Sequence, residues 1–224
     1  MKPIYFITAI DTDAGKTVMT GALANYLKQK GVNVITQKLS QTGCEGSSED
    51  ILAHRSMMKS ELFPEDLEGL TCPYIFSFPG SPHLAASKEG KYIKPDVLKM
   101  ATSALTNRYE CVLVEGVGGL MVPLNDDVLL IDYLQECNYP VLLVTSGKLG
   151  SINHTLMSLD VCYHCGIDVV GLIFNHFGTT NPEITPDTIS VFRKKLYEYY
   201  PMAKMVEVPV IKEDSGLVDF SELI

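Results

Sequence analysis

The chain has 224 residues, 46% hydrophobic and 20% charged, which is the composition of a globular protein rather than a disordered one. Its length fits one domain, residues 1–224, and suffices for a full buried core. A formal charge of −9 without any basic tract argues against nucleic acid as a partner, and no apolar run approaches the roughly 20 residues needed to cross a membrane.

The first residues, Met-Lys-Pro-Ile-Tyr, enter a strand pattern at once and lack a signal-peptide layout, so a cytoplasmic location is expected. Ile4–Ala9 reads as a buried strand, and Lys16–Lys30 as the helix that follows. Between them lies AIDTDAGKT. Where a strand hands over to a helix, free backbone N–H groups and the helix dipole favour an anion. Gly15, Lys16 and Thr17 in that place fit a phosphate loop, with Lys16 reaching the β- and γ-phosphates and the Thr17 hydroxyl a Mg²⁺ ion. The strict G-x-x-x-x-G-K-[ST] pattern fails at Ile10. Two aspartates, Asp11 and Asp13, lie inside this anion-binding loop and call for an explanation.

Asn33–Lys38 is the next strand. Its terminal Lys38 brings a second positive charge, and Ser40 and Thr42 bring hydroxyls. Ser48-Glu49-Asp50 opens a helix over Glu49–Lys59. Asp50 is either a plain helix-start acid or a metal ligand. Ser60 to Pro82, with prolines at 64, 73, 79 and 82, is the least regular stretch and is expected as a surface excursion over the binding crevice. Ser81-Pro82 then reads as the cap and first position of a short helix through Lys88.

Pro95–Asn107 is a helix. Cys111–Glu115 is an apolar strand ending in a carboxylate, and Gly116, Gly118 and Gly119 then free the backbone for close approach to a ligand. Glu115 suits Mg²⁺, which needs only one or two carboxylates. Helix Val128–Cys137, strand Pro140–Thr145, helix Ile152–Cys165, strand Val169–Asn175, helix Pro186–Tyr200 and strand Met205–Val208 complete the order. Six cysteines without framework spacing are expected as reduced thiols. Cys162-Tyr163-His164-Cys165 is formally C-x-x-C, but it falls on one helix face with no second ligand pair nearby.

The strands are continuous apolar runs, as in strands buried on both faces, and they alternate with helices. The expected fold is α/β: a doubly wound, mostly parallel sheet flanked by helices, like that of P-loop NTPases, with ligands beyond the carboxyl ends of the strands.

The segments TAIDTDAGKT, QKLSQTG, SSEDILA, SPHLAAS, LVEGVGGLMVPL, VTSGKLGSINHTL and GLIFNH resemble, in order and spacing, the dethiobiotin synthetase family, from residue 1 to about residue 176. The family's loop is one residue longer than the strict pattern, which accounts for Ile10. The resemblance implies an ATP-dependent cyclo-ligase of biotin synthesis. In that reaction 7,8-diaminononanoate takes up CO₂ as a carbamate, ATP phosphorylates it, and the second amine closes a cyclic urea.

Carried over, Lys16 and Lys38 would be catalytic, stabilising phosphates and carbamate. Asp13, Ala14, Gly15, Lys16, Thr17, Val18, Glu115 and Asn175 would bind the nucleotide, with Asn175 facing the base. Thr17, Asp50 and Glu115 would hold Mg²⁺. Thr12, Lys38, Thr42 and Gly118 would contact the diamine side. Gly150, Ser151, Ile152 and Asn153, at a helix start with outward N–H groups, would receive the substrate carboxylate from the partner subunit of a homodimer with shared active sites. The bland reading there is that Ser151 or Asn153 caps its own helix.

A bare aspartate about 6 Å from a phosphate charge costs roughly 3 kcal/mol at an effective dielectric near 20. The resemblance offers an offset, since Mg²⁺, Lys38 and a diamine substrate are all cations. Asp13 is then expected to face the amine side and Asp11 to order the loop or support the metal; otherwise both point to solvent or cap the next helix. Ala9, Leu39 and Asp13 depart from the usual family residues, and the short segment after VEVPV predicts weak selection of the base. The rival reading is a deviant-Walker partitioning or regulatory ATPase. Its usual extra lysine at the loop start is absent from Ala9-Ile10-Asp11.

Overall fold

The computed structural model describes residues 3–178, 181, 183–212 and 215–224. In chain order the elements are β1 (Ile4–Ala9), α1 (Lys16–Gln29), β2 (Val34–Lys38), β3 (Gln41–Thr42), α2 (Glu49–Met57), α3 (Pro64–Leu67), β4 (Ile75–Phe76), α4 (Pro82–Lys88), α5 (Pro95–Arg108), β5 (Cys111–Glu115), α6 (Leu130–Cys137), β6 (Val141–Ser146), α7 (Ser151–His164), β7 (Val169–Asn175), α8 (Ile184–Tyr199) and β8 (Lys204–Val208). Six strands form one parallel sheet in the order β2-β5-β1-β6-β7-β8. The chain winds outward from β1 in one direction and then in the other, which places a crevice at the carboxyl ends beside β1.

Successive strand residues enter opposite cores, as the pleat requires. Phe6, Val112, Val114, Leu143 and Phe174 pack under α4 to α8. Ile7, Leu113, Leu142, Val144 and Ile173 pack under α1 and residues 218–223. Burial on both faces explains the unbroken apolar runs of the sequence.

The expected elements form, with shifts that have local causes. β2 begins at Val34 because the Asn33 backbone N–H donates to Glu110 Oε2 (2.8 Å) while its carbonyl accepts from Glu110 N–H (2.8 Å). α6 begins at Leu130 rather than Val128. Val128 is held in a turn by Asn125 Oδ1 (2.9 Å), and its carbonyl accepts from Leu124 N–H. The stretch after Ser60 is more ordered than expected. It contributes α3 and β4, and β4 pairs in parallel with β3. Thr71 and Tyr74 carbonyls accept from Lys38 and Gln41 N–H at 2.7 and 2.8 Å, so this stretch is laced to the loop after β2. All six cysteines are free, with Cys162 buried and Cys165 half-buried on α7. Among the described residues no helix is long and apolar enough to cross a membrane.

Phe220 and Leu223 of the last segment belong to the core, and Val218 packs against it. Phe220 is fully buried and meets Tyr26 of α1 edge-on at 5.9 Å between centroids. Truncating such a side chain costs about 3–5 kcal/mol through lost transfer energy and an unfilled cavity. Phe220→Ala is therefore expected to lower the unfolding free energy by that amount in a urea titration. A loss under about 1 kcal/mol would show that the segment is dispensable packing.

Candidate active site

The loop after β1 is built to leave amides free. Gly15, the N-cap of α1, sits in the left-handed region at φ 98° and offers no side-chain cap, and the first turn of α1 carries no acid. Unsatisfied N–H groups with a positive dipole end make an anion cradle. A Cβ at Gly15 would also lie 2.3 Å from Asn175 Nδ2, so the position admits glycine alone. Lys16 is buried, and its Nζ folds back to the Asp11 carbonyl at 3.2 Å. Burial, and next the charge on Lys38, pull the Lys16 ammonium down to about 8.

Both loop aspartates are exposed. Asp11 Oδ1 accepts from Thr12 N–H at 2.7 Å and so orders the loop. Asp13 occupies the left-handed region at φ 59°, a conformation that aspartate tolerates better than most residues. Its carbonyl accepts from Lys148 Nζ at 3.2 Å. Neither aspartate caps α1, whose N-cap is Gly15.

The second centre arises from strand register. Lys38 of β2 and Glu115 of β5 are direct partners at the carboxyl ends of their strands, and both are buried. Lys38 Nζ lies 2.7 Å from Glu115 Oε1 and 2.5 Å from Asp50 Oδ2. Thr17 Oγ1 donates to Glu115 Oε1 at 3.0 Å. Burial opposes the Lys38 ammonium, but Glu115 and then Asp50 outweigh it and hold the group above the ordinary lysine range. Burial likewise opposes the Glu115 carboxylate, but Lys38 and then His54 hold it well below the usual range. Asp50 stands in the first turn of α2, whose N-cap is Ser48, and its carboxylate meets Lys38, so both readings of Asp50 remain open.

Two residues at this centre were not read from the sequence. His54 is fully buried, with Nε2 2.7 Å from Glu115 Oε2 and Nδ1 3.0 Å from Thr36 Oγ1. Arg55 donates to Thr36 Oγ1 (2.8 Å) and forks onto Asp66 through two 2.8 Å bonds. The usable signal was spacing, because Asp50 and His54 stand at i and i+4 and share a helix face.

The remaining expected residues are distributed over several elements around the phosphate loop and the outer face of α1. Gly118 has φ 53°, and a Cβ there would meet Val122 Cγ2 at 2.7 Å. Thr12 is exposed and Thr42, in β3, is half-buried. Asn175 Nδ2 donates to the Ala14 carbonyl at 3.0 Å and its Oδ1 accepts from Phe177 N–H at 3.0 Å, so its amide ties β7 to the phosphate loop. Val18, on the outer face of α1, lines a cavity of about 560 Å³ with Ala22, Ile211, Lys212, Gly216 and Leu217.

At α7, Gly150 is the N-cap with φ 92° and no side-chain cap, so neither Ser151 nor Asn153 caps the helix. The outward N–H expected at Ser151 is corrected. It closes a turn on the Lys148 carbonyl at 3.0 Å, and only Ile152 and Asn153 continue the open end.

A parallel sheet with a glycine-capped phosphate loop, an adjacent Lys and a strand-end carboxylate defines a P-loop NTPase-like protein. A family model described as an AAA domain matches residues 4–213. The chain is 48% identical to the ATP-dependent dethiobiotin synthetase BioD 2 of Pasteurella multocida over 90% of its own length and 94% of that protein. It is 47% identical to the ATP-dependent dethiobiotin synthetase BioD of Chlorobaculum tepidum, covering 96% and 88% of the two chains. A ParA family ATPase structure from Chlorobium tepidum matches with a TM-score of 0.56 at 18% identity, over 96% of this chain and 87% of that one, a likeness of fold. The chain belongs to the dethiobiotin synthetase family.

Because Lys16→Ala removes a charged group of the loop rather than an apolar side chain of either core, the variant is expected to fold normally. It should lose at least about 100-fold in kcat, the scale for deleting a transition-state charge donor. Single-turnover phosphate release with circular dichroism on the same sample checks both halves. Near-wild-type turnover would remove Lys16 from the phosphate site.

Proposed function

We propose that this chain forms dethiobiotin from 7,8-diaminononanoate, CO₂ and ATP. The carrying observation is the convergence of Thr17, Lys38, Asp50 and Glu115 within hydrogen-bond distance beside a free helix N-terminus that also bears Lys16. One diamine nitrogen adds to CO₂ to give a carbamate. A carbamate oxygen attacks the γ-phosphorus and ADP departs. The second amine then attacks the carbonyl carbon and expels phosphate, closing the five-membered urea.

In this reading Lys16 neutralises the β- and γ-phosphates, and the loop amides from Asp13 to Val18 position them. Lys38 turns from Asp50 and Glu115 toward the carbamate and the transferring phosphoryl group. Thr12, Thr42 and Gly118 line the diamine side. The exposed carboxylate of Asp13 balances a cationic substrate. The base lies toward Asn175 and the cavity beside Val18, where Ile211, Lys212, Ser215, Gly216 and Leu217 supply one wall.

Mg²⁺ fits the donors present. Thr17, Asp50 and Glu115 offer hard oxygens, and an ammonium already bridges the two carboxylates. Among the described residues no cluster of three or more His, Cys, Asp or Glu forms a ready cage. Mg²⁺ does not need one, because it takes few carboxylates and completes its shell with phosphates and water. When bound, it would neutralise charge on the transferring phosphates.

A homodimer supports the far end of the substrate. Met121 and Met157 are exposed around a cavity of about 400 Å³ that Ile10 and Gly119 also line, and Leu149 and Ile152 are exposed at the start of α7. A second copy would cover this apolar surface and present Gly150, Ser151, Ile152 and Asn153 to the carboxylate. A cytoplasmic setting follows from the chemistry, which draws on ATP. The partitioning-ATPase reading has no observation in its favour beyond shared fold.

Incubation with diaminononanoate, bicarbonate, Mg²⁺ and ATP should yield dethiobiotin by mass spectrometry. ATP hydrolysis without ring product contradicts the proposal. Asp50→Ala should raise the Mg²⁺ concentration for half activity by roughly tenfold, about 1.4 kcal/mol of lost metal binding. An unchanged requirement returns Asp50 to a helix-start role.

A further inference from the structure

The two oxygens of Glu115 have separate partners. Oε1 receives Lys38 Nζ at 2.7 Å and Thr17 Oγ1 at 3.0 Å, whereas Oε2, among the described residues, receives only the His54 ring, at 2.7 Å. The carboxylate can only accept, so the ring hydrogen stands on Nε2. The other ring nitrogen is fixed in turn. Arg55 Nη1 donates to Thr36 Oγ1 at 2.8 Å, which leaves the Thr36 hydroxyl hydrogen for His54 Nδ1 at 3.0 Å. Arg55 itself is clamped by Asp66, and Asp66 also accepts from Thr71 Oγ1 at 2.7 Å and Phe63 N–H at 2.8 Å. Arg55 donates both to Asp66 of α3 and to Thr36, and from Arg55 onward every link, through Thr36 and His54, donates toward Glu115. The ring, Thr36 and Arg55 are all buried, so water does not compete.

We propose that His54 is a positioning residue. It fixes the Glu115 carboxylate so that Oε1 faces Thr17 and Lys38, and thereby sets the affinity of the site for a divalent cation. A ring that orients a metal-binding carboxylate reverses the common arrangement in which a carboxylate orients a metal-binding histidine, and the energetic logic is the same. The inference rests on the metal reading of Glu115.

The test is Mn²⁺ binding to the full chain with a non-hydrolysable ATP analogue, read by electron paramagnetic resonance, with thermal unfolding on the same variants. His54→Leu is expected to weaken Mn²⁺ binding by roughly 10- to 100-fold. His54→Gln, which keeps an N–H near the place of Nε2, should recover most of that loss. A merely structural role would lower the melting temperature of both variants without separating their metal affinities. Wild-type Mn²⁺ affinity in His54→Leu, or equal weakening in Leu and Gln, overturns the proposal. If His54→Leu does not fold, Thr36→Val decides, since it removes the hydroxyl that fixes Nδ1. Weaker Mn²⁺ binding there supports the proposal, and unchanged binding overturns it. Glu115→Gln separates the two levels. Retained Mn²⁺ binding in that variant defeats the metal reading itself. Lost binding there, with unchanged binding in His54→Leu, defeats only the role of the ring.

Discussion

A buried ion pair set by strand register governs this site. β2 and β5 are not neighbours in sequence, yet their parallel ladder places Lys38 directly beside Glu115 where both strands end. Removing two such charges from water costs several kcal/mol for each ion, and attraction offsets this only when the remaining lone pairs and protons are satisfied. Thr17, Asp50 and His54 do that here. The pair thus draws α1, α2, β2 and β5 to one point, and the fold keeps a cation and carboxylates in close reserve beside the phosphate loop.

That reserve also bears on the two aspartates of the loop. Their carboxylates stay in solvent, where screening reduces their repulsion toward a phosphate. Asp11 shapes the loop locally, and Asp13 supplies a left-handed backbone position. The loop retains its capacity for anions because the inward charge is that of Lys16, while the acids face out.

Much of this was legible in the sequence, and the reason is periodicity. Strands buried on both faces are continuous apolar runs, so β1, β5 and β7 emerged with their observed bounds. The strand-end positions of Lys38 and Glu115 were legible for the same reason. Their pairing was not, because register between distant strands leaves no local trace. β3 and β4 span two residues each and α3 four, too short for any period to show. His54 passed as one more residue of an amphipathic helix, since a buried histidine differs from a core residue only by its partners. The Ser151 amide was misjudged because its turn onto Lys148 depends on the left-handed Gly150.

The most direct test of the account is a double-mutant cycle on the nucleotide-free protein, using Lys38→Met, Glu115→Gln and the double variant in urea unfolding. If the register-set pair holds the site together, each single substitution strands a buried partner and costs about 3–5 kcal/mol. The double variant then loses less than the sum, by at least about 1 kcal/mol. Additive losses, within about 0.5 kcal/mol, would contradict the account, because they would mean that Lys38 and Glu115 are stabilised independently of each other.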